Sequence, residues 1–221
     1  MRVLLIGGSP KICTPSLLTK AAAMCTYVVA IDRGLDAALA ANVPVDLFCG
    51  DIDSASAESA AAVAEAEING TFEVEHYNPA KDDTDLSLAL RAIQNRFDRA
   101  DLMCTCLSGG NPDHYLGVLG CLGNYENGNV VFAEDDFDAR ILSTGDSWTI
   151  RNAQTRRFSA IPLTPLASIS EKGMRWEVEN LKLSLLSDRG ISNVIDFSDA
   201  SITCNDGKAI AYLFKDSSSL A

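Results

Sequence analysis

The 221-residue sequence has no run near the roughly 20 consecutive apolar residues that a membrane-spanning helix requires. Its first apolar run, Val3-Leu4-Leu5-Ile6, stops at Gly7-Gly8 and is too short for a secretory signal. Basic residues are few: 18 Lys and Arg against 30 Asp and Glu, a net charge of −12. A nucleic-acid reader would show a basic face, so that partner class is excluded. The seven cysteines are scattered and odd in number, which argues against a disulfide framework. Together these features predict a cytoplasmic protein that engages neither membrane nor nucleic acid. The close pair Cys104 and Cys106 reads as a buried strand of small apolar residues. Neither Gly-x-x-x-x-Gly-Lys-[Ser/Thr] nor a full Gly-x-Gly-x-x-Gly occurs, so Walker-type and ordinary dinucleotide sites are disfavoured. There is no repeat, and the one biased segment is a polar tail at 217–219.

What is present is enough apolar residue, 47%, for one large core or two modest ones. Up to about residue 138, short apolar runs alternate with helical patterns. Strands are expected at 3–6, 27–31, 47–49, 72–77, 102–107 and 130–132, and helices at 35–41, 55–68, 85–97 and 113–122. This alternation predicts an α/β domain over 1–138 with a mostly parallel sheet. From 139 to 221 the runs are short: 140–142, 147–150, 158–161, 168–170, 181–185, 201–204 and 210–214. Turn signals separate them, among them Glu171-Lys172-Gly173 and Asn205-Asp206-Gly207-Lys208, the latter read as a hairpin turn. An all-β sandwich or barrel is expected there.

Polar residues gather where the parallel strands end, the place at which open α/β sheets bind ligands. Gly50-Asp51-Ile52-Asp53-Ser54 follows the third strand. Extended backbone puts Asp51 and Asp53 on one side, and two hard oxygen donors suit Mg²⁺. The same stretch also suits a turn with Ser54 capping the next helix. Lys81-Asp82-Asp83-Thr84-Asp85 opens a helix, and three acids in four residues repel one another unless a cation screens them. Gly109-Gly110-Asn111-Pro112-Asp113-His114 opens another, with glycines that leave room for an anion at exposed amides. Asp32-Arg33-Gly34 follows the second strand. Two acidic clusters at strand ends favour a metal-phosphate site over capping alone.

In this order, these elements resemble those of the thiamine pyrophosphokinase family. The later residues Phe158-Ser159-Ala160-Ile161-Pro162-Leu163, Gly173-Met174-Arg175-Trp176 and Gly190-Ile191-Ser192-Asn193 resemble its C-terminal strand, turn and substrate elements. The resemblance implies a C-terminal β-sandwich that binds thiamine, a homodimer with thiamine where subunits meet, and the reaction of ATP with thiamine to give AMP and thiamine diphosphate. It implies that Asp51, Asp53 and Asp85 hold Mg²⁺, with Asp113 supporting catalysis. Asp32, Arg33, Lys81, Asp82, Thr84 and His114 would meet ATP, and Ser192 and Asn193 would meet thiamine. The sequence departs from the family pattern at Arg33, at Asn111 where Arg is frequent, at Val118 where Asn is frequent, and at Ile195 where an aromatic is frequent. Arg33 or Lys81 could supply the missing phosphate clamp. A pterin alcohol as acceptor and a non-catalytic binding protein are the alternative readings.

Overall fold

The computed structural model describes residues 1–51, 56–76 and 83–215. The expected site residues Asp53, Lys81 and Asp82, together with Ser54 and the polar tail, lie outside the described residues. The chain divides into two compact units, the second beginning at Asp135.

The first unit alternates strand and helix without interruption. Its elements are β1 (Arg2–Ile6), α1 (Pro15–Ala22), β2 (Tyr27–Ile31), α2 (Gly34–Ala40), β3 (Leu47–Gly50), α3 (Ala57–Asn69), β4 (Glu73–His76), α4 (Asp85–Arg96), β5 (Asp101–Thr105), α5 (Pro112–Gly123) and β6 (Val130–Ala133). The strands pair in parallel in the order β6-β5-β1-β2-β3-β4. The central strands carry unbroken apolar runs because both faces are covered; Val3, Leu4, Leu5 and Ile6 are each fully buried. The edge strand β4 differs. Arg96 clamps Glu73 and Glu75 at 2.7 Å each, and His76 Nε2 meets Glu67 at 2.7 Å, so charged side chains line an edge that would otherwise invite pairing. Helix α1 was not expected: it has only eight residues, begins with Pro15 and lacks a side-chain cap. Helix α3 is capped by Ser56, whose Oγ accepts the Ser59 N–H at 3.1 Å, and it ends on Gly70 at φ +67°.

The second unit is a β-sandwich. Its strands are β7 (Phe137–Ser143), β8 (Ser147–Arg151), β9 (Arg157–Pro162), β10 (Leu166–Lys172), β11 (Val178–Ser184), β12 (Asn193–Val194), β13 (Asp199–Asp206) and β14 (Lys208–Phe214), with a 3₁₀ turn at Asp188–Gly190. Two antiparallel sheets form, β12-β9-β14-β7 and β11-β10-β13-β8. Alternate residues point inward: Ala200, Ile202 and Cys204 from β13 meet Phe158, Ala160, Ala209 and Ala211 from the other sheet. The expected hairpin at Asn205-Asp206-Gly207-Lys208 is instead a corner. Strand β13 pairs with β8 and β10, whereas β14 pairs with β7 and β9, so the turn carries the chain from one sheet to the other. The turn chemistry was read correctly, for Gly207 has φ +74°, but partner choice is set by the distant strands. Phe158 is fully buried among both sheets. Phe158→Ala is expected to cost about 3–5 kcal/mol, measured as the shift in denaturant midpoint at constant slope.

Candidate active site

The order β6-β5-β1-β2-β3-β4 contains one reversal. The chain steps outward from β1 to β4 and then returns to the far side of β1. At such a switch point neighbouring loops diverge and leave a crevice beyond the carboxyl ends of the strands. A cleft of about 640 Å³ lies there, within the size range of ligand pockets. It is lined by Gly8, Ser9 and Pro10 after β1, Asp32 and Arg33 after β2, Thr84 and Asp85 at the start of α4, and Gly109, Asn111, Asp113 and His114 around the start of α5.

Each element is held by local chemistry. Asp32 adopts φ +48°, a left-handed conformation that Asp tolerates better than most residues. Its N–H donates to the Cys49 carbonyl at 3.1 Å, and its carboxylate lies against Gly50 so closely that a Cβ there would overlap Asp32 Oδ1. The ends of β2 and β3 are thereby brought together, with Asp51 as the next residue. Gly34 begins α2 directly on the β1 backbone, where a side chain would strike the Ile6 carbonyl. Thr84 caps α4, its Oγ1 accepting the Ser87 N–H at 3.2 Å, so this side chain is occupied in starting the helix that carries Asp85. Asp83 pairs with Arg91, which removes one acid from the expected cluster. Both α4 and α5 aim their N-termini at the cleft, an arrangement that favours anions.

The loops after β1 and β5 are tied together. Ser9 N–H donates to the Cys106 carbonyl at 3.0 Å, and Ser9 Oγ donates to the Ser108 carbonyl. Beneath them lies Glu134, buried at 3% exposure. Its Oε1 accepts the Leu107 and Ser108 N–H groups at 3.0 and 3.2 Å, and its Oε2 accepts the Cys13 thiol at 2.9 Å. Cys13 N–H in turn donates to Cys106 Sγ at 3.3 Å. Sequence reasoning missed Gly8, Ser9, Pro10 and Glu134. Val130, Phe132 and Glu134 share one buried face of a strand register, and an acid in that register was the available signal.

Among the described residues the expected site residues fall in two places. Asp32, Arg33, Thr84, Asp85, Asp113 and His114 line the cleft of the first unit. Asp51 follows β3, next to the Gly50 that packs against the Asp32 carboxylate, and is not among the residues lining the cleft. Ser192 and Asn193 line a separate cavity of about 330 Å³ in the second unit, with Trp176, Ile191, Arg189 and Glu171. Ser192 has φ +63°, and its N–H donates to Ser159 Oγ at 3.0 Å. The Asn193 amide is saturated by the protein. Its Nδ2 donates to Glu171 Oε2 at 2.7 Å and to the Trp176 carbonyl at 2.9 Å, and its Oδ1 accepts the Trp176 and Val194 N–H groups at 3.2 and 2.9 Å. Asn193 therefore shapes the cavity wall. Of the departures from the family pattern, Asn111 and Val118 line the cleft, whereas Ile195 is fully buried in the sandwich core.

Burial, with Cys13 as the second cause, pushes the Glu134 carboxyl up to about 8 from 4.5. The stability that its protonated form contributes is complete below about pH 4.5 and is lost as pH rises through about 8. Glu134→Gln keeps an acceptor for the two loop N–H groups and removes the titration. The melting temperature of Glu134→Gln is therefore expected to fall less steeply than that of the unaltered protein between pH 5 and pH 8.

Residues 18–132 match the family model for thiamin pyrophosphokinase, catalytic domain, and residues 148–209 match that for its vitamin B1 binding domain. Thiamine pyrophosphokinase 1 of Oryza sativa subsp. japonica is 27% identical over 167 residues, which cover 72% of this chain and 62% of the rice protein. The match thus spans less than two thirds of that relative's length. The solved structure of a thiamin pyrophosphokinase family protein from Enterococcus faecalis aligns with a TM-score of 0.77 at 25% identity, over 98% of this chain and all of that one. The thiamine pyrophosphokinase of Bacillus subtilis has the same fold, with a TM-score of 0.78 at 23% identity over 98% of this chain and 100% of that one. With the catalytic-domain match alone spanning more than half of its residues, this chain belongs to the thiamin pyrophosphokinase family.

Proposed function

We propose that the protein transfers the pyrophosphate of ATP to the hydroxyl of thiamine, giving thiamine diphosphate and AMP. The observation that carries this reading is the convergence of two helix N-termini and the Asp32, Asp85 and Asp113 carboxylates on one cleft at the sheet's reversal. The two family-model matches, one to each unit, support it. ATP occupies the first unit and thiamine the second. The phosphates lie against the amides of the Gly109-Gly110-Asn111 turn and the starts of α4 and α5, with Arg33, His114 and Lys81 as cationic or donor partners.

Mg²⁺ would be the metal, with Asp51, Asp53 and Asp85 to hold it and the Asp32 carboxylate packed on Gly50, the residue before Asp51. The donor set fits, because all are hard carboxylate oxygens and Asp32 is lodged against the residue preceding Asp51. Among the described residues no three acidic, histidine or cysteine side chains gather into a protein-only cage. Mg²⁺ takes few carboxylates and completes its shell with phosphate and water. When bound, the ion neutralises charge on the transferring phosphates. The thiamine hydroxyl attacks the β-phosphorus, the bond to the α-phosphate oxygen breaks, and AMP leaves. Asp113 or Asp85 accepts the hydroxyl proton.

Seven free thiols fit a reducing, cytoplasmic setting. Six large apolar side chains of the second unit's described residues are exposed, including Trp176, Ile191 and Phe197. They support a homodimer that covers them, detectable by sedimentation.

AMP release from Mg²⁺-ATP should depend on thiamine, and a hydroxymethylpterin should not replace it. Asp85→Asn and Asp53→Ala are each expected to lower turnover about 100-fold or more while leaving the circular dichroism spectrum unchanged. Near-normal rates in both would sink the assignment of the metal and phosphate site.

A further inference from the structure

Glu171 lies on β10 in the inward register of Ala167 and Ile169, and it is only 4% exposed. Its Oε2 is fixed by Asn193 Nδ2 at 2.7 Å. Its Oε1 is buried and has no hydrogen-bond partner within the protein. The side chain lines the cavity that also holds Trp176, Ser192 and Asn193. A buried acceptor without a donor is costly, and native structures seldom keep one without a functional reason or a bound partner. Asn193 cannot serve the ligand by hydrogen bonding, because both of its N–H groups and its oxygen are engaged by the protein. Glu171 thus lines the cavity with one carboxylate oxygen, Oε1, that no donor of the protein satisfies.

We propose that Glu171 is a specificity-determining residue whose Oε1 accepts a hydrogen bond from the exocyclic amino group of the thiamine aminopyrimidine. This rests on the reading of the second unit as the thiamine site. The choice of ring follows from chemistry: the thiazolium carries a positive charge but no N–H, whereas the aminopyrimidine presents an NH₂ to a carboxylate. Asn193 fixes the polarity of the contact. Because it donates to Oε2, a carboxylate keeps Oε1 as its unsatisfied acceptor on a side chain that lines the cavity. In Glu171→Gln the amide must turn its oxygen to Asn193 and its NH₂ to the cavity, so an acceptor becomes a donor.

Burial raises the Glu171 carboxyl to about 7, partly offset by the Asn193 hydrogen bond. Its cross-strand neighbours, Val178 and Ile202, do not titrate. Arg189 is the other charged side chain lining the cavity among the described residues.

The test compares thiamine with an analogue whose pyrimidine amino group is replaced by a carbonyl oxygen, using quenching of Trp176 fluorescence and steady-state kinetics. The unaltered protein should bind thiamine about 10–100-fold more tightly than the analogue. Glu171→Gln should abolish or reverse that preference, raise KM for thiamine about 10-fold or more, and leave KM for ATP unchanged. In the unaltered protein, thiamine binding should tighten and analogue binding weaken as pH rises from 6 to 8; this comparison stands even if the variant fails to fold. An unchanged preference in a folded Glu171→Gln, or parallel pH trends for the two ligands, overturns the inference while leaving the proposed function intact. Failure of the unaltered protein to bind thiamine at all would overturn the proposed function instead.

Discussion

A parallel sheet buried on both faces has no room for a polar side chain along its strands. Burying such a group without partners costs several kcal/mol, so the interiors of the central strands are filled with residues such as Val, Leu, Ile, Phe, Met and Cys. Polar chemistry is forced beyond the strand ends. The reversal of strand order between β1 and β5 then decides which of those ends form a cleft and which do not. The acids at Asp32 and Asp85, the glycine turn at Gly109-Gly110 and the helix starts all answer to that constraint.

Two glutamates are buried among the described residues, one in each unit. Glu134 has both oxygens engaged, holding the loop after β5 and the Cys13 thiol. It belongs to the scaffold of the cleft, because its donors are the amides that set the loop's path. Glu171 has one oxygen engaged and one not. The difference separates a carboxylate saturated by the scaffold from one that keeps an unsatisfied oxygen.

Much of this was legible in the sequence. Unbroken apolar runs such as Val3-Leu4-Leu5-Ile6 announce doubly covered strands, and the helix carrying Leu86, Leu90 and Ile93 shows its buried stripe directly. The acids at the strand ends stand out because nothing else in a buried sheet explains them. Strand order was not legible, since it is fixed by packing between segments far apart in the chain. Gly8-Ser9-Pro10 therefore read as a plain turn, although it forms one wall of the cleft. Glu171 read as part of a turn signal because Lys172 and Gly173 follow it, yet its spacing from Ala167 and Ile169 places it inward. Asn193 stood out in the sequence as a candidate thiamine contact, but its hydrogen-bond partners did not. Only the positions of Glu171 and Trp176 show that its hydrogen bonds are spent within the protein.

The corner at Gly207 has a consequence for how the second unit assembles. The turn between β7 and β8 also takes the chain from one sheet to the other, so neither sheet is built from a continuous stretch of sequence. No hairpin spanning either turn can form first and wait for the rest. Most pairings join strands distant in the chain, such as β7 with β14 and β8 with β13, and loop closure must come before those contacts stabilise anything. The sandwich is thus built mainly from pairings of high sequence separation, a topology for which slow folding is expected.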